Sequence, residues 1–106
     1  MTKFTVHDLE AIIASRASAS GEASYTRKLL DKGVAQCAKK FGEEAVEAVI
    51  SAVQADKAHF TAECADVIYH LLVLMRAGGV TLAEVEATLQ KRTAQSGLEE
   101  KASRKG

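Results

Sequence analysis

The chain has 106 residues, 47% of them hydrophobic, with no proline, two cysteines, and fourteen basic side chains against fourteen acidic ones. That length holds one domain, residues 1–106, with room for four or five helices. Zero net charge argues against a nucleic-acid binder held by a basic surface. Cys37 and Cys64 are too few for a disulfide framework and lack the spacing of a zinc site, so they read as reduced, buried thiols of a cytoplasmic protein. The N-terminus carries no basic stretch followed by a long apolar run, which argues against a secretory signal. The longest apolar run, Val67 to Met75, falls far short of the roughly 20 residues that a membrane span needs.

Helical signals follow one another along the chain, and alternating Val/Ile/Thr runs are absent, which predicts an all-α fold. A first helix begins near Val6, capped by Thr5 with Asp8 in the capping-box position and with Leu9, Ile12 and Ile13 as its apolar stripe. It runs out in the small, polar segment Ser15 to Gly21. Ser24 starts a short helix through Leu29 and Leu30, which Gly33 closes. A long helix spans about Val34 to Val53. The polar stretch Gln54-Ala55-Asp56-Lys57 makes a turn, and a second long helix runs from about Lys57 to Ala77, ended by Gly78-Gly79. Thr81 with Glu84 forms another capping box, opening a last helix to about Gln95. The polar tail, residues 96–106, is expected to be mobile.

At 100° per residue, Val46, Val49, Ile50 and Val53 share a face of the first long helix and mark its core stripe. Gly42 falls on the same stripe, which suggests close approach of another helix. Lys40, Glu44 and Glu47 form a separate row. On the second long helix, Glu63 and Asp66 align with Val67, His70 and Leu74, so these carboxylates continue an apolar face and point inward. The run Val67 to Met75 is apolar nearly all round. A chain of this size can hardly bury such a helix alone, so a homodimer or larger homo-oligomer is expected.

The two acidic pairs Glu44-Ala45-Val46-Glu47 and Glu63-Cys64-Ala65-Asp66 share one internal spacing, and residues three apart lie side by side on a helix. If the chain doubles back at Ala55, Glu47 and Glu63 stand eight residues either side, and Glu44 and Asp66 eleven. Equal rise per residue then sets the members of each couple at matching heights on antiparallel helices. Four carboxylates converging on one patch repel unless a cation sits between them, and an all-oxygen donor set suits Mg²⁺, with Mn²⁺ as a substitute. An acidic row is more often a solvated face, and Lys39 and Lys40 offer ion pairs, but neither explains why both pairs face one patch. Lys40 and His70, each fifteen residues from the same pivot, meet at the next level. Lys40 is placed to contact a phosphate. His70 reads first as a satisfied core histidine, and otherwise as a hydrogen-bond donor to Asp66 behind the metal ligands.

The pattern Glu44-x2-Glu47-x15-Glu63-x2-Asp66 resembles the metal signature of the MazG-like all-α nucleoside triphosphate pyrophosphohydrolases. Ser24-Tyr25-Thr26 followed by Leu29-Leu30 and Gly33, the segment Lys40 to Glu47, the segment Ala65 to Leu74, and the tail Ser96 to Arg104 are similar to the phosphoribosyl-ATP pyrophosphatases within that superfamily. The resemblance covers nearly the whole chain. It implies Mg²⁺-dependent hydrolysis of phosphoribosyl-ATP to phosphoribosyl-AMP and pyrophosphate, the second step of histidine biosynthesis, by a standalone enzyme without a fused cyclohydrolase. It further implies Glu44, Glu47, Glu63 and Asp66 as metal ligands. One of these carboxylates, or Glu43, would take the proton of the attacking water. Lys40, Arg92, Lys101 and Arg104 are candidates for substrate phosphates; Arg92 lies near the tail and Lys101 and Arg104 in it, where they would either close over bound substrate or belong to a solvated terminus. Two other functions fit the residues: a (d)NTP pyrophosphohydrolase of nucleotide-pool housekeeping, and a non-catalytic helical dimer with a structural cation.

Overall fold

The computed structural model describes residues 3–19 and 24–94, and every regular element among them is helical: α1 (Val6–Ala17), α2 (Tyr25–Asp31), α3 (Val34–Val53), α4 (Lys57–Gly78) and α5 (Leu82–Thr93). The all-α expectation holds, and the bounds of α3 are those the sequence predicts. Helix α1 continues through Ser15 and Arg16 to Ala17, and α5 stops at Thr93. The tail from residue 95 onward, with Lys101 and Arg104, lies outside the described residues.

Local chemistry explains where each helix begins. Thr5 and Asp8 at α1, and Thr81 and Glu84 at α5, each form a reciprocal capping box that satisfies backbone donors left over in the first turn. Ser24 caps α2 by accepting from the Arg27 amide, and Asp56 caps α4 by accepting from the His59 amide. Gly79, with φ +77°, ends α4 in the left-handed conformation that glycine adopts without penalty. The turn between α3 and α4 is tight enough to put Ala55 at φ +60°, a strained angle for a residue with a Cβ. Ala55 is thus the pivot that the spacing of the acidic pairs required.

Antiparallel packing of α3 on α4 is the dominant tertiary contact, with α1 and α2 laid across one end. A small core of Ile13, Leu29, Cys37, Leu72, Val73 and Met75 sits where these helices meet. Helix α5 is tied to α1 by His7 Nε2 to Glu86 Oε2 at 2.8 Å, and by the Leu82 amide donating to Glu10 Oε2 at 2.8 Å.

The expected core stripe of α3 is overturned. Val46, Val49, Ile50 and Val53 are exposed, Val53 at 81%, and a Cβ built on Gly42 meets nothing within 4 Å. The residues of α3 that are buried are Cys37, Glu44 and Ser51, seven apart and on the opposite side of the helix. The reason is the acidic row: for Glu44 to face α4, the valine stripe must turn away from it. On α4, His70, Leu72, Val73 and Met75 are buried while Ile68 and Leu71 remain exposed. The radius of gyration, 16.2 Å, exceeds the about 13 Å of a compact domain of this length. A large apolar face is left bare.

The Glu84 carboxylate accepts from the Thr81 amide at 2.9 Å, and these bonds hold its pKa below the ordinary glutamate value. A depressed carboxyl stabilises the fold above its unfolded pKa, and that contribution disappears as pH falls through the folded value. Replacing Thr81 with Ala should lower stability by about 1 kcal/mol at neutral pH. In urea melts at a series of pH values, the difference between wild type and Glu84→Ala should shrink on acidification and be gone once Glu84 is protonated.

Candidate metal centre

The α3–α4 hairpin brings the two acidic pairs face to face. Glu44, Glu63 and Asp66 each offer a carboxylate oxygen, and these three oxygens lie within 4.8 Å of one another. Glu44 is buried, Glu63 half-buried and Asp66 exposed, so the cluster runs from the helix interface out to solvent. Glu47, one turn along α3, joins it through a hydrogen bond with Glu44. That bond, followed by repulsion from Glu44 and Glu63, raises the pKa of Glu47 above the ordinary carboxylate value.

Cations and dipoles already surround part of this charge. Lys40 Nζ lies 3.4 Å from Glu44 Oε1 and 4.0 Å from Glu43, and the bond to Glu44 is the main cause that raises its own pKa. His70 Nε2 approaches the same Glu44 oxygen at 3.9 Å from α4. Lys40 and His70 therefore do meet at one level, across Glu44. The sequence offers His70 first as a core histidine and otherwise as a donor to Asp66; the residue is buried, and its nearest acidic oxygen belongs to Glu44 on the facing helix. Burial lowers the pKa of His70, so the ring is neutral at neutral pH.

Glu63 carries the clearest sign of a missing partner. Its Oε1 faces His59 Nε2 at 3.2 Å, while its Oε2 is buried with no hydrogen-bond partner among the described residues. An orphaned carboxylate oxygen beside two further carboxylates is costly as it stands. An all-oxygen donor set of this kind fits a hard divalent cation, which would satisfy the orphan and offset the repulsion together. His59 was missed at the sequence level, although His59-x3-Glu63 is an i, i+4 pair that spacing alone reveals.

The remaining candidates divide. Glu43 is exposed and lines a shallow hollow of about 540 Å³ with Lys40, Gly42, Val46 and Glu47 on the outer flank of α3. Arg92 sits on α5, beside Glu84, Thr88 and Leu89. Lys101 and Arg104 lie outside the described residues. A group of ring contacts also borders the cluster. Tyr69 meets His70 edge-on at 4.9 Å, Tyr25 stacks on Tyr69 at 6.5 Å, and the Tyr69 hydroxyl pairs with the buried Thr26 hydroxyl at 2.6 Å. Thr26 and Tyr69 are 43 residues apart, so no local pattern announces them.

Comparison with known proteins places this geometry in context. A model of the family described as phosphoribosyl-ATP pyrophosphohydrolase matches residues 6–93. Phosphoribosyl-ATP pyrophosphatase 1 of Bradyrhizobium diazoefficiens is 67% identical over 105 residues, covering 99% of each chain. The phosphoribosyl-ATP pyrophosphatase of Nitrobacter winogradskyi is 64% identical over 98% of this chain and 90% of its own. Phosphoribosyl-ATP pyrophosphatase 1 of Rhodopseudomonas palustris is 62% identical over 99% and 98% respectively.

A cation that binds the folded cluster must raise stability by mass action, by about 2.7 kcal/mol at a hundredfold excess over its Kd. Millimolar Mn²⁺ should therefore raise the melting temperature of the wild type. Glu63→Gln removes one charge from the cluster, so the variant should melt no lower than wild type in EDTA and gain little from Mn²⁺. A variant that still shows the full metal shift would remove Glu63 from the site.

Proposed function

The chain belongs to the phosphoribosyl-ATP pyrophosphohydrolase family, and on that premise we propose that residues 1–106 form a single catalytic domain whose α3–α4 carboxylates hold Mg²⁺. It is a hydrolase acting on a phosphoanhydride: it cleaves phosphoribosyl-ATP to phosphoribosyl-AMP and pyrophosphate in histidine biosynthesis. The observation that carries the metal assignment is the orphaned Glu63 oxygen inside a triad of carboxylate oxygens within 4.8 Å.

Glu44, Glu63 and Asp66 would hold the ion, with Glu47 completing the set. When bound, Mg²⁺ offsets charge on the triphosphate oxygens and lowers the pKa of a bound water. Lys40 is placed to contact a phosphate as a point charge once it exchanges Glu44 for substrate. His70, buried, lines the α4 side of the cluster 3.9 Å from Glu44. Glu47 and Glu43 are the carboxylates open to solvent on the α3 side, and either is positioned to take the proton of the attacking water. Arg92, Lys101 and Arg104 are assigned to substrate phosphates from the C-terminal segment.

A second copy of the chain is the occupant we assign to the bare stripe of α3. Val46, Val49, Ile50 and Val53 run along one side of the helix, and Gly42 leaves room for close approach. A monomer rarely exposes so continuous an apolar face. No single described helix is long and apolar enough to cross a membrane. We place the enzyme in the cytoplasm, with nucleotide as its small-molecule partner and neither nucleic acid nor membrane required.

The test is pyrophosphate release from phosphoribosyl-ATP, with ATP and the dNTPs as comparators, in Mg²⁺ and in EDTA. Metal-dependent release from phosphoribosyl-ATP is the expected result, and preference for a free dNTP would contradict it. Glu47→Ala and Asp66→Ala should each lose at least about a hundredfold in kcat/KM, with helical content unchanged. Val49→Glu combined with Ile50→Glu should lower the molar mass measured by light scattering. An unchanged mass would free the stripe of that role.

A further inference from the structure

The Ser24-Tyr25-Thr26 segment holds a feature that the metal chemistry leaves unused. Its outer members are fixed inside the fold: Ser24 is 6% exposed and Thr26 1%, while Tyr25 between them is 53% exposed. The Ser24 hydroxyl accepts from the Arg27 amide and donates to the Arg16 carbonyl, anchoring the segment to α1. Thr26 anchors it to α4 through the Tyr69 hydroxyl at 2.6 Å. The Tyr25 ring is braced in turn, stacked on Tyr69 with planes 19° apart and edge-on to His70 at 6.3 Å.

The location is as informative as the bracing. His70, which touches the Tyr25 ring, lies 3.9 Å from Glu44, and Lys40 is within electrostatic reach of Tyr25. The ring is therefore one contact removed from the carboxylates, on the side of α3 that faces α4. The apolar stripe Val46 to Val53 lies on the other side of that helix. A nucleoside triphosphate whose phosphates lie at the carboxylates and Lys40 carries its base one ribose further on, where it needs an apolar surface to leave water.

We propose that Tyr25 is a substrate-contacting residue whose ring stacks on the purine of the nucleotide while the phosphates lie at the Glu44–Asp66 cluster. This inference rests on the phosphoribosyl-ATP reading and adds to it the group that positions the base. The bonds of Ser24 and Thr26 act as positioning contacts that set the ring plane before substrate arrives. Aromatic stacking tolerates any ring of suitable size, so the phenol hydroxyl is dispensable and the ring is not.

Steady-state kinetics on Tyr25→Leu and Tyr25→Phe test this, with inorganic tripolyphosphate as a base-free competitor in Mg²⁺. The Leu variant should raise KM for phosphoribosyl-ATP roughly ten- to a hundredfold with little change in kcat. The Phe variant should restore it to within a few-fold of wild type. Inhibition by tripolyphosphate should be the same in all three proteins, and so should their molar mass. An unchanged KM in Tyr25→Leu overturns the inference, as does a Phe variant as poor as Leu. Parallel weakening of tripolyphosphate would assign Tyr25 to the phosphate site, and a lower molar mass would assign it to a subunit contact; either also overturns it. A wild-type enzyme inert on phosphoribosyl-ATP would instead overturn the underlying functional reading, independently of the variants.

Discussion

Mutual repulsion among Glu44, Glu47, Glu63 and Asp66 is the constraint on which the rest of the fold depends. Two ionised carboxylates at the separations found here repel by roughly 3 kcal/mol at an effective dielectric of about 20, and the cluster contains several such pairs. Lys40 offsets charge on Glu44 at 3.4 Å, and to a lesser degree on Glu47. The orphaned oxygen of Glu63 has no such relief. A single divalent cation, as proposed above, would answer all of these demands at once.

That choice determines how α3 is oriented. A helix with one apolar face ordinarily turns it to its own core, yet α3 turns Cys37, Glu44 and Ser51 inward and leaves Val46 to Val53 bare. The stripe is thereby left available to the second copy of the chain proposed above.

Much of this was legible in the sequence because the signals are local. Capping boxes at Thr5 and Thr81, the glycine stop at Gly79 and the turn at Ala55 each depend on residues within a few positions, and the structure reproduces them. Matching offsets from Ala55 brought Glu44, Glu63 and Asp66 together for the same reason: two helices of equal rise need no other information. Periodicity failed where it had to choose between two faces of α3, since hydrophobicity cannot say whether a stripe meets its own chain or another. Its alternative partner for His70 was Asp66, the acid within reach on the same helix, whereas the closer acid comes from α3. The Thr26–Tyr69 bond and the bracing of Tyr25 join segments far apart in the chain, and only the packed helices reveal them.

The account's central claim is that the hairpin carboxylates form a metal centre, and anomalous diffraction from a crystal of the full chain grown with Mn²⁺ tests it most directly. The predicted result is a manganese peak bonded to oxygens of Glu44, Glu63 and Asp66, with the Glu63 oxygen that is now without a partner among its ligands. Ordered density for all of these side chains with no manganese between them, under conditions where the enzyme is active, would contradict it.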